Sequence, residues 1–165
     1  QMCIRDRNKD TLIFDDFKFR CCVGKGGFSK DKREGDKKTP IGRFKLDYLY
    51  FRKDRKRKPK TILKTVAIKK NMGWCDDVKS KSFYNRRINI KKNLKFEKLY
   101  RKDHKYDYLI PIKYNWNKIK IGKGSAIFIH ITKNYKPTAG CIALSAKDFL
   151  ILISLIKKET TIKII

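Results

Sequence analysis

Apolar side chains recur along much of the chain at every second position, the pattern of strands whose successive side chains point to opposite faces. Leu12 and Phe14 alternate before Asp15-Asp16, and Phe17 and Phe19 alternate after it, so residues 10–23 read as two short strands around a turn. The following stretch, GKGGFSKDKREGDKKTPIGRF, is dense in glycine and charge and reads as a loop. Phe44, Leu46 and Tyr48 alternate with Lys45, Asp47 and Leu49 and suggest a strand leaving that loop, and residues 61–68 suggest another. Residues 71–87, NMGWCDDVKSKSFYNRR, follow neither strand nor helix period and are predicted to be irregular. Residues 106–114 read as a strand in which Pro111 marks an edge, a bulge or a start. In GKGSAIFIHI, Ile127, Ile129 and Ile131 fall on one strand face while Phe128 and His130 fall on the other.

One segment departs from the period of two. Ser145 is a good N-cap, Asp148 sits where it favours the helix dipole, and Leu144 and Phe149 have the spacing of a hydrophobic staple. Phe149, Leu152, Ile153 and Ile156 then form an apolar stripe that runs toward Lys157 and Lys158. Residues 160–165 return to a β pattern, so the chain predicts a mainly β domain with one clear helix near its C-terminus.

Composition narrows this picture modestly. A length of 165 residues is that of one ordinary domain, and 41% apolar with 12% aromatic residues is enough for a core despite 36% charged residues. The formal net charge of +28 predicts attraction to polyanions, either nucleic acid or an anionic envelope polymer. The densest basic run, RKDRKRKPK over residues 52–60, has seven cationic side chains in nine positions and reads as a solvated loop. No run of 18 apolar residues supports a transmembrane helix, and no signal peptide is visible in QMCIRDRNKDTLIF. GKGG lacks the spacing of a nucleotide-binding loop. Five cysteines, an odd number, argue against a complete disulfide framework, and with two histidines and no clustered cysteine spacing no metal site is expected.

Cys141, in PTAGCIALS, has four readings from its surroundings: nucleophile, metal ligand, disulfide partner or small buried side chain. Ala139 and Gly140 remove bulk before it, and His130, eleven positions earlier on a predicted strand, supplies an imidazole that could hold the thiol proton. His104, in the polar run YRKDHKYD, reads as an exposed residue. Asp76 and Asp77 read first as local turn formers, since neighbouring side chains on extended backbone point apart.

AIFIHI followed by PTAGCIALS closely resembles the catalytic end of L,D-transpeptidases of the YkuD-like class, in particular a compact single-domain branch. The resemblance extends through VGKGGFSKDKREGDKKTPIGRFKL (23–46), WCDDVKSKSFYNR (74–86) and GKGSAIFIHI (122–131), in order and across most of the chain. It implies a β-sandwich catalytic domain over residues 1–165, an acyltransferase without cofactor, expected to be a monomer of the bacterial periplasm or cell envelope. Peptidoglycan stem peptides would be both donor and acceptor. Cys141 would attack the carbonyl before a terminal D-alanine with His130 as base, and a second stem amine would take the acyl group to form a 3-3 cross-link. Water in place of the amine would make the enzyme an L,D-carboxypeptidase. The resemblance implies oxyanion donors at Gly140 and Cys141, a turn shaped by Thr138 and Ala139, and substrate contacts from Trp74, Asp76, Asp77, Tyr84 and Asn85.

Two departures stand out. Many members of that class carry His and Arg at the positions of Ala139 and Ala143, so neither polar contact is available here. Specificity is then expected from the loop 25–39 or the segment 74–86. Residues alone also allow a basic, non-catalytic binding protein for nucleic acid or an anionic polymer.

Overall fold

The computed structural model describes residues 1–5 and 8–165. Its elements are β1 (Met2–Arg5), β2 (Asn8–Phe14), β3 (Phe17–Cys22), β4 (Phe28–Ser29), β5 (Thr39–Pro40), β6 (Gly42–Lys45), β7 (Leu49–Phe51), β8 (Thr65–Ala67), β9 (Met72–Cys75), β10 (Arg87–Asn89), β11 (Phe96–Lys98), β12 (Tyr108–Pro111), β13 (Phe128–Ile131), β14 (Ile142–Leu144), α1 (Ala146–Leu155) and β15 (Thr161–Ile164). A ten-stranded sheet runs in the order β6-β15-β1-β2-β3-β14-β13-β12-β7-β8, beside a three-stranded sheet β10-β9-β11 and the small pair β4-β5. This is the mainly β fold with one C-terminal helix that the alternation predicts.

The large sheet curls because strands far apart in its order meet. Leu46, just past β6, bridges Ile112, just past β12, and the Asp47 and Lys113 amides donate to the Pro111 and Lys45 carbonyls at 2.9 and 2.8 Å. The Phe44 and Tyr114 rings also pack edge-on at 5.6 Å. Pro111 lies at the end of β12, beyond the Tyr108 and Leu109 pairings with β7, so its missing N–H removes no bond from that ladder.

Alternation along the central strands divides the interior into two cores. Leu49 and Phe51, Tyr108 and Ile110, Ile129 and Ile131, and Ile142 and Leu144 share one cluster with Phe149, Leu152 and Ile153 of α1. The intervening Tyr50, Leu109 and Phe128 face the other way, joining Trp74, Tyr106 and Cys141 in a second cluster beneath the three-stranded sheet. The layers of the expected sandwich are therefore unequal: a curled sheet closed by one helix on its inner side and by three short strands on part of its outer side.

Three local outcomes refine the sequence reading. Phe14 pairs with Phe17, so Asp15-Asp16 is a two-residue hairpin turn, with Asp15 at φ 51°. Residues 71–87 contain β9 rather than being wholly irregular; Met72, Gly73, Trp74 and Cys75 are all buried, which erases the alternation that marks a half-exposed strand. The helix stops at Leu155, with Ile156 extended and 4% exposed, so Lys157 and Lys158 fall beyond its last turn.

The basic run 52–60 is also more than a solvated loop. Arg52 is 2% exposed, forks onto Asp54 at 2.8 and 2.7 Å, and stacks over Tyr100. Arg55 reaches the Lys102 and Asp103 carbonyls, and its neighbour Asp107, fully buried, is met by Arg55, Lys56 and His104. His104 itself is about half exposed and lies 2.8 Å from Asp107.

At the helix start, the Ser145 hydroxyl accepts the Asp148 amide at 3.0 Å, as predicted for an N-cap. Ser145→Ala should lower the free energy of unfolding by about 1 kcal/mol, read by chemical denaturation. An unchanged denaturation midpoint would show that the cap is not needed once Phe149 is packed.

Candidate active site

The site is built on the parallel pair β13 and β14. Ile129 pairs with Ile142, His130 with Ala143 and Ile131 with Leu144, so the step before this register sets Phe128 beside Cys141. His130, Cys141 and Ala143 consequently share the sheet face opposite Ile129 and Ile142. His130 and Cys141 are diagonal neighbours on that face, about 7–8 Å apart and somewhat less at Cβ.

The turn leading into β14 is held at both ends. Thr138 Oγ1 donates to the Cys141 carbonyl at 2.6 Å and accepts the Gly140 amide at 3.1 Å. Thr138 also bridges Gly24, and its amide donates to the Val23 carbonyl at 2.9 Å. From the other side Thr39, fully buried, donates to the Gly140 carbonyl at 2.9 Å while accepting the Gly24 amide at 2.9 Å. Gly140 has φ 131°, and a Cβ there would lie 2.8 Å from the Lys38 carbonyl oxygen, so this position requires glycine.

Cys141 is 7% exposed and His130 5% exposed. The thiol lies 3.3 Å from the Ala126 carbonyl, to which it donates, and accepts the Phe128 amide at 3.4 Å. Burial pushes the Cys141 thiol up to about 12, with Glu97 adding to the rise and the Phe128 amide and Lys32 opposing it. His130 Nδ1 lies 2.9 Å from the Ile131 carbonyl, a contact that makes Nδ1 the donor and leaves Nε2 with its lone pair. Burial pushes the imidazole down to about 4, against the Ile131 hydrogen bond. Both groups are therefore neutral near pH 7, one with a proton to give and the other with a site to take it.

Both also line a cavity of about 730 Å³, together with Thr138, Ala139 and Ala143 on the turn side. The rest of its lining includes Lys32, Glu34, Lys37, Asp76, Lys95, Glu97, Arg101 and Lys105, a mixture of both charges. Glu97 is held by the Tyr106 hydroxyl, and burial raises its carboxyl above the usual range. Burial likewise raises Asp76, whose Oδ1 has no hydrogen-bond partner among the described residues.

The family model of the YkuD L,D-transpeptidase catalytic domain matches residues 4–164. The chain belongs to that family. No curated protein and no solved structure gives a significant match. Family membership makes the chain an enzyme of L,D-transpeptidase type, an acyltransferase of peptidoglycan-related chemistry.

Within this L,D-transpeptidase domain, the residues named from sequence divide by position. Cys141, His130, Thr138, Ala139 and Asp76 meet at the cavity. Gly140 shapes the turn from behind, its amide already committed to Thr138. Trp74, Tyr84 and Asn85 are 2, 1 and 3% exposed and turn inward. Trp74 Nε1 donates to Asn85 Oδ1 at 2.9 Å, and the same oxygen accepts the Ala126 amide at 3.2 Å. These three therefore brace the segment whose carbonyl receives the Cys141 thiol. Asp77 caps a turn, accepting the Lys79 and Lys95 amides at 2.9 and 3.2 Å. The loop 25–39 supplies Lys32, Glu34, Gly35 and Lys37 to the cavity, whereas the segment 74–86 supplies Asp76 and Val78. Lys32, Glu34, Glu97 and Tyr106 were not singled out by sequence; the first two lie in the loop 25–39 from which specificity was expected.

A buried neutral histidine gives the L,D-transpeptidase domain a defined acid sensitivity. Its folded pKa of about 4 lies below the ordinary 6.5, so between these values the unfolded chain binds the proton and the folded chain does not. Stability from this group is intact above the ordinary value and falls as pH drops through the window toward the folded value. The full loss is on the order of 3 kcal/mol. Denaturation midpoints measured from pH 7 to 4 should show this slope in the wild type and lose it in His130→Gln. Parallel slopes in the two proteins would mean that His130 carries its proton in the folded state.

Proposed function

We propose that the domain is a cysteine-dependent L,D-transpeptidase acting on peptidoglycan stem peptides through a Cys141 thioester. The observation that carries this reading is the placement of Cys141 and His130 on one face of adjoining parallel strands, at the wall of one cavity. The thiol proton passes to His130 Nε2 as Sγ attacks the carbonyl between the third residue and the terminal D-alanine. A carbon–sulfur bond forms, the amide carbon–nitrogen bond breaks, and His130 returns the proton to the departing amine of D-alanine. The amine of a second stem peptide then attacks the thioester, giving its proton to His130, which restores it to Sγ. The products are a 3-3 cross-link and free enzyme; water as the acceptor gives the carboxypeptidase outcome.

The resting geometry favours concerted proton transfer over a standing ion pair, because burial opposes charge on both partners. Developing negative charge on the substrate oxygen meets the Cys141 amide; the Gly140 amide reaches it only by leaving Thr138. Acidic groups in the cavity lining, Asp76 among them, suit an approaching cationic acceptor in surroundings that are otherwise strongly basic. The reading sets the enzyme at work in the periplasm or cell envelope, where anionic polymers would also hold a +28 chain near its substrate. Such an association is the place left for the polyanion-binding alternative, as an accessory to catalysis.

Incubation with a tetrapeptide stem should release D-alanine, followed by mass spectrometry, and should yield a mass increment on Cys141. Cys141→Ala should abolish both, and His130→Ala should slow acylation by about 10²- to 10⁴-fold without unfolding the protein. Equal release by wild type and Cys141→Ala would remove the nucleophile assignment.

A further inference from the structure

Ala139 and Ala143 flank the nucleophile without bringing any charge to it, yet a cation reaches the same turn from a distant part of the chain. Lys32 is 3% exposed and lines the cavity with Cys141. Its stem fills space left by a missing side chain: a Cβ on Gly124, at φ 97°, would lie 2.9 Å from Lys32 Cε. Its ammonium arrives beside the nucleophile's neighbour, 3.6 Å from where a Cβ on Gly140 would stand. Two glycines of positive φ thus form a slot that a lysine side chain occupies along its length.

The slot fixes the ammonium without exhausting it. Asp36 Oδ1 accepts from Lys32 Nζ at 2.6 Å, while the two Asp36 oxygens also accept the Arg33 and Lys38 amides at 2.8 and 2.9 Å. Asp36 is therefore anchored by backbone as well as by lysine, and an ammonium has three N–H groups to give. Glu34, the nearby carboxylate on the same loop, is engaged by the Tyr84 and Ser125 hydroxyls. An anion in the cavity would find Lys32 held in place and already desolvated.

Resting on the transpeptidase reading above, we propose that Lys32 is a specificity-determining residue that binds the terminal carboxylate of the donor peptide. In the departing D-alanine, the carboxylate lies only two bonds beyond the nitrogen of the bond that breaks. With that bond at Cys141 Sγ and the carboxylate directed to the Gly140 side of the cavity, the Lys32 ammonium beside Gly140 is placed to receive it. Lys32 in this way supplies the positive charge that Ala139 and Ala143 do not. It also gives a reason for choosing a chain end over an internal peptide bond.

The test compares a tetrapeptide donor carrying a free terminal carboxylate with the same peptide as its terminal amide. Wild type should show a kcat/KM for the acid about 10- to 100-fold above that for the amide, the range expected of one charge-assisted contact. Lys32→Met should lower turnover of the acid alone, bringing the ratio near one, and Lys32→Arg should restore most of it. Equal turnover of both donors by wild type, or an equal fall on both in Lys32→Met, overturns the proposal while leaving Cys141-dependent release in place. Release from neither donor by wild type fails the transpeptidase reading instead, and the carboxylate site with it. Thermal unfolding of Lys32→Met reports whether the variant folds; if it does not, the wild-type ratio and Lys32→Arg decide.

Discussion

Everything at the site depends on the register between β13 and β14. Pairing Ile129 with Ile142 places isoleucines of both strands in the helix-side core, and the same step turns His130, Cys141 and Ala143 to the opposite face. The two consequences are inseparable, because strand side chains alternate. A slip of one residue would drive a branched aliphatic side chain into the cavity and an imidazole into the apolar core. Hydrophobic burial on one face therefore fixes the placement of His130 and Cys141 on the other.

The second ordering influence is the contact between the loop 25–39 and the turn 138–141. Thr39 and Thr138, one from each segment, exchange hydrogen bonds with Gly140, Gly24 and Cys141, joining pieces that lie about a hundred positions apart in sequence. Glycines at 24 and 140 permit this approach: a Cβ on Gly24 would sit 2.3 Å from the Lys37 carbonyl oxygen. The glycine-rich loop accordingly serves backbone-to-backbone packing against the site. Its charged residues are sorted by that packing, with Lys32 and Glu34 drawn inward and most of their neighbours left in water.

Much of this was legible in the sequence where one physical rule dominated. Period-two alternation marked β2 and β3, and the cap and stripe marked α1, because each buries mainly one face, while β12 and β13, buried on both faces, were marked by near-continuous apolar runs. The rule failed for β9, buried on both faces, and for residues 44–49, where one alternating run spans the end of β6, the Leu46–Ile112 bridge and the start of β7. Cys141 and His130 were readable because a strand and a tight turn constrain them locally. Lys32 was not, since one buried lysine in KDKREGD is indistinguishable from its exposed neighbours until Gly124 and Gly140 are seen to leave room for it. Trp74 and Asn85 were noticed for good reason, but their contacts support Ala126 from behind.

Burial of the cysteines sets how this protein meets oxidants. No disulfide joins any of the five cysteines, and burial is the main cause pushing Cys21, Cys22, Cys75 and Cys141 above the ordinary thiol range. Disulfide exchange and peroxide attack both proceed through the thiolate, so four of the sulfurs are poor entry points for either. Cys21 and Cys22, adjacent on β3, point to opposite faces of the sheet and cannot close on one another without breaking the strand. The burial that holds the Cys141 thiol protonated near pH 7 therefore also guards it against adventitious oxidation.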